Sequence, residues 1–170
     1  MIREGRMTDR RRPVRTALVA CAASVAMAAG TVVATVTVAP PAQARVAAVE
    51  YQAEAFTVTN VQRLAHARVP LRHQACVQKW AVRQARKMAR QERMFHQDLA
   101  RVANDCGLSL AGENVAYGYP SGRSVVVDGW MKSKGHRANI LKRDYRLMGI
   151  GARRAGGTWY VAQVFGRKAR

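Results

Sequence analysis

The segment Trp159–Phe165 constrains the fold more than any other part of the chain. It reads Trp-Tyr-Val-Ala-Gln-Val-Phe, so both alternating sets of side chains are mostly apolar. Such a strand cannot turn either face to water and has to be covered on both sides. Gly156-Gly157 precedes it, and Leu147–Arg153 reads as a partner strand, which makes the pair a hairpin. The covering layers must come from the segments before them. Those segments read as helices, so the class is α+β, a sheet held between two helix layers in a three-layer α-β-α sandwich.

Glu50 to about Ala67 is expected to be a first helix with Tyr51, Ala55, Val58, Val61 (or Gln62) and Ala65 along one stripe, ended by Pro70. His73 to Gln91 is the clearest helix. Ala75, Cys76, Trp80, Ala81, Ala85, Met88 and Ala89 share one face, and Lys79, Arg83, Arg86, Lys87 and Arg90 take the other. A short helix is expected near Gln97–Ala103, stopped by Asp105-Cys106-Gly107. Ser121 is placed to cap a helix over Gly122–Lys132 with Val125, Val126 and Trp130 inward and Gly135 at its end. His136–Leu141 adds one further turn. Gly112–Gly122, rich in Gly, Asn and Pro, reads as a structured loop.

The N-terminus sets the compartment. Residues 1–15 carry six Arg, residues 16–39 carry no charge, and Pro40-Pro41-Ala42-Gln43-Ala44 follows. A basic stretch, an apolar stretch and an Ala-x-Ala exit have the layout of a secretory signal peptide. Cleavage is expected after Ala44, and Met7 offers an alternative start. An uncleaved N-terminal anchor is the competing reading, since the apolar stretch exceeds about 18 residues. The expected organisation is a signal peptide over 1–44, a flexible leader over 45–49, the folded domain over 50–167 and a basic tail over 168–170. Removal of 1–44 leaves 126 residues with 23 Lys and Arg against 8 Asp and Glu, a net +15. Two cysteines remain, Cys76 and Cys106. In an oxidising, extracellular setting they are expected to pair.

The charge points to anionic partners, a cell-wall polymer or an acidic lipid surface. Nucleic acid is not expected, because the few aromatic residues are not interleaved with the basic ones. A monomer is expected.

No local catalytic motif is present. There is no His-Glu-x-x-His, Cys-x-x-Cys, Gly-x-Ser-x-Gly or phosphate loop, and Gly149-Ile150-Gly151 lacks the third glycine of a dinucleotide fingerprint, with Arg154 in its place. His96, Glu113 and His136 remain as candidates, separated by 17 and 23 residues, so only the fold can unite them. Two imidazoles and a carboxylate suit a divalent cation such as Zn²⁺ with an open position, or acid–base work near neutral pH. The plainer alternative is capping of backbone groups by Glu113 and His136. His66 and His73 have no acidic neighbour and read as solvated or core-edge residues. Trp80, Trp130 and Trp159 read as core.

These residues also resemble a known family. Gly112-Glu113-Asn114-Val115-Ala116, Trp130, Ser133-Lys134-Gly135-His136-Arg137-Ala138-Asn139-Ile140-Leu141, Met148-Gly149-Ile150-Gly151 and Tyr160–Gly166 look like the CAP superfamily. That superfamily comprises the cysteine-rich secretory proteins, antigen five and the plant pathogenesis-related group one proteins, and the likeness is closest to its secreted bacterial branch. It runs from about Glu54 to Gly166. The resemblance implies an α-β-α sandwich and a surface cavity where His96, Glu113 and His136 converge. In the family that cavity often holds two His and two acidic residues, and some members bind a divalent cation there, so Zn²⁺ or another divalent cation is the cofactor expected. The second acidic residue has no counterpart here, since Met131, Lys132 and Ser133 follow Trp130 and Asp128 would face elsewhere. The family includes lipid and sterol carriers, toxins and defence proteins. The resemblance therefore implies a secreted binding protein for a metal, a lipid or an envelope ligand. A metal-assisted, peptidase-like hydrolase using the same three residues is the alternative.

Overall fold

A computed structural model describes residues 41–169, with side chains from residue 47 onward. The signal-peptide layout over 1–44 lies almost wholly outside the described residues.

The first element among the described residues is α1 (Pro41–Ala65), so residues 45–49, expected as a flexible leader, are helical. A two-residue strand, β1 (Arg72–His73), leads into α2 (Ala75–Gln91), and α3 (Leu99–Cys106) follows. Next come β2 (Leu108–Tyr117), a helical passage α4 (residues 122–132), α5 (Lys134–Leu141), β3 (Leu147–Ala155) and β4 (Thr158–Lys168). The sheet order is β1-β3-β4-β2, with β2 and β3 both antiparallel to β4 and β1 parallel to β3.

Alternation along the strands sorts the core into two layers, as the doubly apolar strand requires. Val161 and Phe165 of β4 join Met148, Ile150 and Ala152 of β3, packing with Tyr51 and Ala55 of α1, Val125, Val126 and Trp130 of α4 and Ile140 of α5. The opposite set, Ala162 and Val164 of β4 with Leu147 of β3 and Val115 of β2, meets α2 and α3 through Val77, Ala81, Met88 and Val102. The molecule is an α-β-α sandwich. A Cys76–Cys106 disulfide, with 5.6 Å between Cα atoms, ties the start of α2 to the end of α3.

Local signals placed several elements correctly. Ser121 caps α4 through a reciprocal bond with Ser124. The passage then widens into a π turn at Val125–Gly129 and tightens into a 3-10 turn at Trp130–Lys132. Gly107 closes α3 with φ +59°, a left-handed conformation that glycine adopts without strain.

Four further expectations are corrected. Gly112–Tyr117 is not loop but the second half of β2, buried from Gly112 to Ala116 and paired residue by residue with β4 from Phe165 to Tyr160. Gly135 does not end α4 but sits in the first turn of α5. In α1 the buried stripe is Tyr51, Ala55, Thr59 and Arg63, while Val61 is 54% exposed. The helix turns two polar side chains inward because their partners lie on other elements. The basic tail is also shorter than expected, since β4 runs to Lys168, whose Nζ donates to the Cys106 carbonyl at 2.9 Å.

Candidate functional site

The edge strand β2 organises the site. Because side chains alternate across a sheet, Glu113 shares the α2–α3 face with Val115, and Asn114 shares the opposite face with Ala116. His96 lies in the connection from α2 to α3. That connection is fastened by Glu92, left-handed at φ 46°, and by Gln84 of α2, whose buried amide donates to the Phe95 carbonyl.

His96 Nδ1 bonds to Glu113 Oε2 at 2.8 Å. Gln97 adds its backbone N–H to the same oxygen at 3.2 Å and its side-chain amide to Oε1 at 2.6 Å. The Glu113 carboxylate is fully buried while the His96 ring is 59% exposed. A carboxylate only accepts, so Nδ1 carries the proton, and Nε2 on the far side of the ring is left as the available base or ligand. Burial raises the Glu113 pKa above its ordinary value, and the bonds from His96 and Gln97 pull it back down.

His136 is placed from the other side of β2. Asn114 donates to the His136 carbonyl at 3.1 Å and to Gln163 Oε1 at 3.0 Å. Asn139, one turn along α5, donates to the Glu113 carbonyl at 3.1 Å and to Asn114 Oδ1 at 3.0 Å. Gln163 in turn donates to Thr59 of α1 at 2.8 Å. This buried chain of amides fixes α5 against the strand that carries Glu113. Sequence reading missed Gln97, Thr59 and the structural work of Asn114, Asn139 and Gln163. The one available signal was amide side chains inside segments that are otherwise apolar.

The expected trio is thus joined in two parts. His96 and Glu113 form a hydrogen-bonded pair, and His136 is near enough for the His96 charge to lower its pKa. Among the described residues no group of three or more His, Cys, Asp or Glu side chains is placed to hold a metal ion. The donor chemistry agrees. Three of the roughly four lone-pair positions of the Glu113 carboxylate are taken by His96 and Gln97. As placed, the three side chains do not make the three-ligand set of a catalytic zinc centre.

Beside His136 lies a cleft of about 520 Å³, walled by Val115, Ala116, Tyr119 and Trp130 and reached past Met94 and Tyr117. Trp130 is fixed in this wall by its indole N–H, which donates to the Val115 carbonyl at 3.3 Å. Met94 and Tyr117 are 44% and 56% exposed.

Burial, and secondarily the His96 charge, holds His136 below its ordinary 6.5. A base with a lowered folded-state value binds fewer protons native than unfolded. Its contribution to stability is complete above about pH 6.5 and is lost as pH falls through the folded value. Glu113 has the opposite sign, since its raised value favours the native state as pH falls. Denaturation between about pH 7.5 and 5 is expected to show His136→Gln losing less stability than the wild type. Parallel curves would contradict a half-buried His136 whose pKa is held below its ordinary value.

Comparison with known proteins gives a consistent picture. Residues 56–165 match the cysteine-rich secretory protein family, CAP. The chain is 29% identical over 116 residues to the uncharacterized protein YkwD of Bacillus subtilis, covering 64% of this chain and 45% of that protein. A 44-residue stretch is 48% identical to the uncharacterized membrane protein YlbC of the same organism, 26% of this chain and 12% of that one. The chain thus spans less than half the length of these curated relatives. Among solved structures, it resembles an extracellular SCP-domain protein from Bacillus anthracis, with a TM-score of 0.67 and 24% identity over 78% of this chain and 45% of that one. An outer surface protein of Borrelia burgdorferi matches with a TM-score of 0.61 and 18% identity over 67% of this chain and 90% of that one. At these identities the structural likeness concerns the fold alone.

Proposed function

The chain belongs to the cysteine-rich secretory protein family, CAP, and from that premise we propose that it is a secreted binding protein whose cleft beside Trp130 and His136 takes a lipid-like component of the cell envelope. The observation that carries this reading is the cleft itself. Its volume of about 520 Å³ falls within the range of small-molecule sites. Its wall is apolar, and His136 and Ser133 stand at it as polar groups able to meet a headgroup. Met94 and Tyr117 hold large apolar surface in water at the mouth, a cluster that an amphipathic ligand would cover. Secretion is supported by the signal-like N-terminus and by relatives described as extracellular or outer-surface proteins. No helix among the described residues is long and apolar enough to cross a membrane.

A metal-assisted hydrolase would need Glu113 as a ligand or general base. The three hydrogen bonds that the carboxylate accepts support a different role, orientation of His96 toward whatever enters from solvent.

Titration with a fluorescent single-chain fatty acid tests the lipid reading. Saturable, one-to-one binding is expected. Met94→Asp and Tyr117→Asp are each expected to weaken it about tenfold, since burying one such side chain contributes about 1.5–3 kcal/mol. Absence of saturable binding by the wild type, or wild-type affinity in both variants, would sink this reading.

A further inference from the structure

The outer face of α2 belongs to none of the machinery above. Lys79, Arg83, Arg86 and Arg90 lie on it at steps of four, three and four residues, all exposed. That spacing keeps them on one side of the helix over about 16 Å. They line a cleft of about 650 Å³. Arg86 and Arg90 also line a second cleft of about 350 Å³, whose far wall is Arg153 and Arg154 at the end of β3. Arg86 and Arg90 thus border both clefts, which lie side by side as one basic trough lined by these five Arg and Lys79. Among the described residues no carboxylate lies within 4 Å of any of these cations. Arg83 is steadied by stacking 5.0 Å over the Trp80 ring, and Arg154 Nε is held by the Gly157 carbonyl at 3.0 Å.

We propose that this trough binds a linear, phosphate-bearing polyanion. Charge of one sign on two facing walls focuses the field between them and draws in an anion. A row of cations set about 5–6 Å apart along a helix suits a chain with repeated charges better than a single small anion. The guanidinium fork matches phosphate oxygens two at a time, and Arg dominates the trough. A bilayer would need apolar side chains to insert. The large exposed ones (Val49, Val61, Leu64, Val69, Met94 and Tyr117) all lie outside both clefts. Single-stranded nucleic acid would need a series of aromatic platforms, and neither cleft is lined by Phe, Tyr or Trp.

The test is fluorescence anisotropy with labelled inorganic polyphosphate across a salt series. The wild type is expected to bind with affinity that falls steeply with salt. Arg86→Gln/Arg90→Gln is expected to lower affinity tenfold or more and to flatten the logarithmic salt slope by about 1.5, from two fewer phosphate contacts. Arg153→Gln/Arg154→Gln, on the opposite wall, should do the same. Arg123→Gln/Arg143→Gln removes equal charge from the other helix layer and should leave both quantities near wild type. If that control pair weakens binding as much as the trough pairs, net charge and not a site is responsible, and the proposal fails. It fails equally if phosphatidylglycerol vesicles or an oligothymidylate of matched charge bind more tightly than polyphosphate.

Discussion

Gly151→Ala is expected to destabilise the protein by about 3 kcal/mol or more, at the upper end of overpacking costs. β3 turns Gly149 and Gly151 toward α2 while Met148, Ile150 and Ala152 face the other layer. A Cβ on Gly151 would meet the Ala81 carbonyl and lie 2.5 Å from the Val82 nitrogen, and one on Gly149 would lie 2.5 Å from the Gln78 Cα. These obstacles are helix backbone, which has no rotamer to change, so relief requires moving α2 off the sheet. Such movement would also break the amide of Gln78, which donates to the Ile150 carbonyl at 2.7 Å and accepts from its N–H at 2.8 Å. That pair satisfies strand groups that would otherwise be left open. Gly135→Ala is the matched control. Nothing lies within 4 Å of its added Cβ, and replacing Gly inside a helix gains about 0.5–1 kcal/mol. Urea denaturation of the two variants should therefore move in opposite directions. A Gly151→Ala midpoint equal to wild type would show that α2 is not seated on the glycines.

Much of this packing was legible because it is written in local periodicity. The two-faced strand Trp159–Phe165 demanded cover, and it lies between two helix layers. Ser121 announced a helix start and is bonded to Ser124 as a cap. The basic and apolar faces of α2 were legible at a period of 3.6: Trp80, Ala81, Ala85, Met88 and Ala89 are buried as expected, while Ala75 is exposed and Val77, outside the expected stripe, is buried. What escaped was set by partners far away in the chain. Gly112, Asn114 and Gly118 carry strong turn signals, yet Gly112 and Asn114 sit in a strand. The reason for Asn114 lies in Gln163, 49 residues on, and in Asn139. For Gly112 it lies in Tyr145, whose hydroxyl and ring atoms occupy the space a Cβ would take. The motif Gly149-Ile150-Gly151 was legible only as a failed dinucleotide fingerprint, since nothing nearby reveals that a helix backbone passes over it. Glu113 was legible as a candidate, but its hydrogen bonds to Gln97, which lies 16 residues back in the chain, were not.

The buried Arg63 is the clearest case of a distant partner overriding a local pattern, and its removal is the second large effect expected. Its side chain is fully buried, with Nε donating to the Val69 carbonyl at 2.8 Å and Nη1 to the Ile140 and Lys142 carbonyls at 2.5 and 3.1 Å. Two of these acceptors belong to the end of α5, where the last carbonyls of a helix lack intrahelical donors and carry partial negative charge. The arginine is held there against resistance. Burial, and then Arg146 and Arg68, lower its pKa to about 10, and Nη2 has no hydrogen-bond partner among the described residues. Arg63→Ala removes that strained charge but leaves the buried Ile140 carbonyl unpaired, a loss of about 1–3 kcal/mol, along with the part-buried Val69 and Lys142 carbonyls, so a net destabilisation of about 3 kcal/mol is expected. Arg63→Lys keeps the charge without the fork and is expected to recover only part of it. The damage should be local before it is global. Asn139 and His136 ride on α5, so hydrogen exchange should speed up over 134–141 while amides of the β2–β4 ladder keep their protection. If α5 and the ladder lose protection together, Arg63 supports the whole sandwich and not the helix that carries His136.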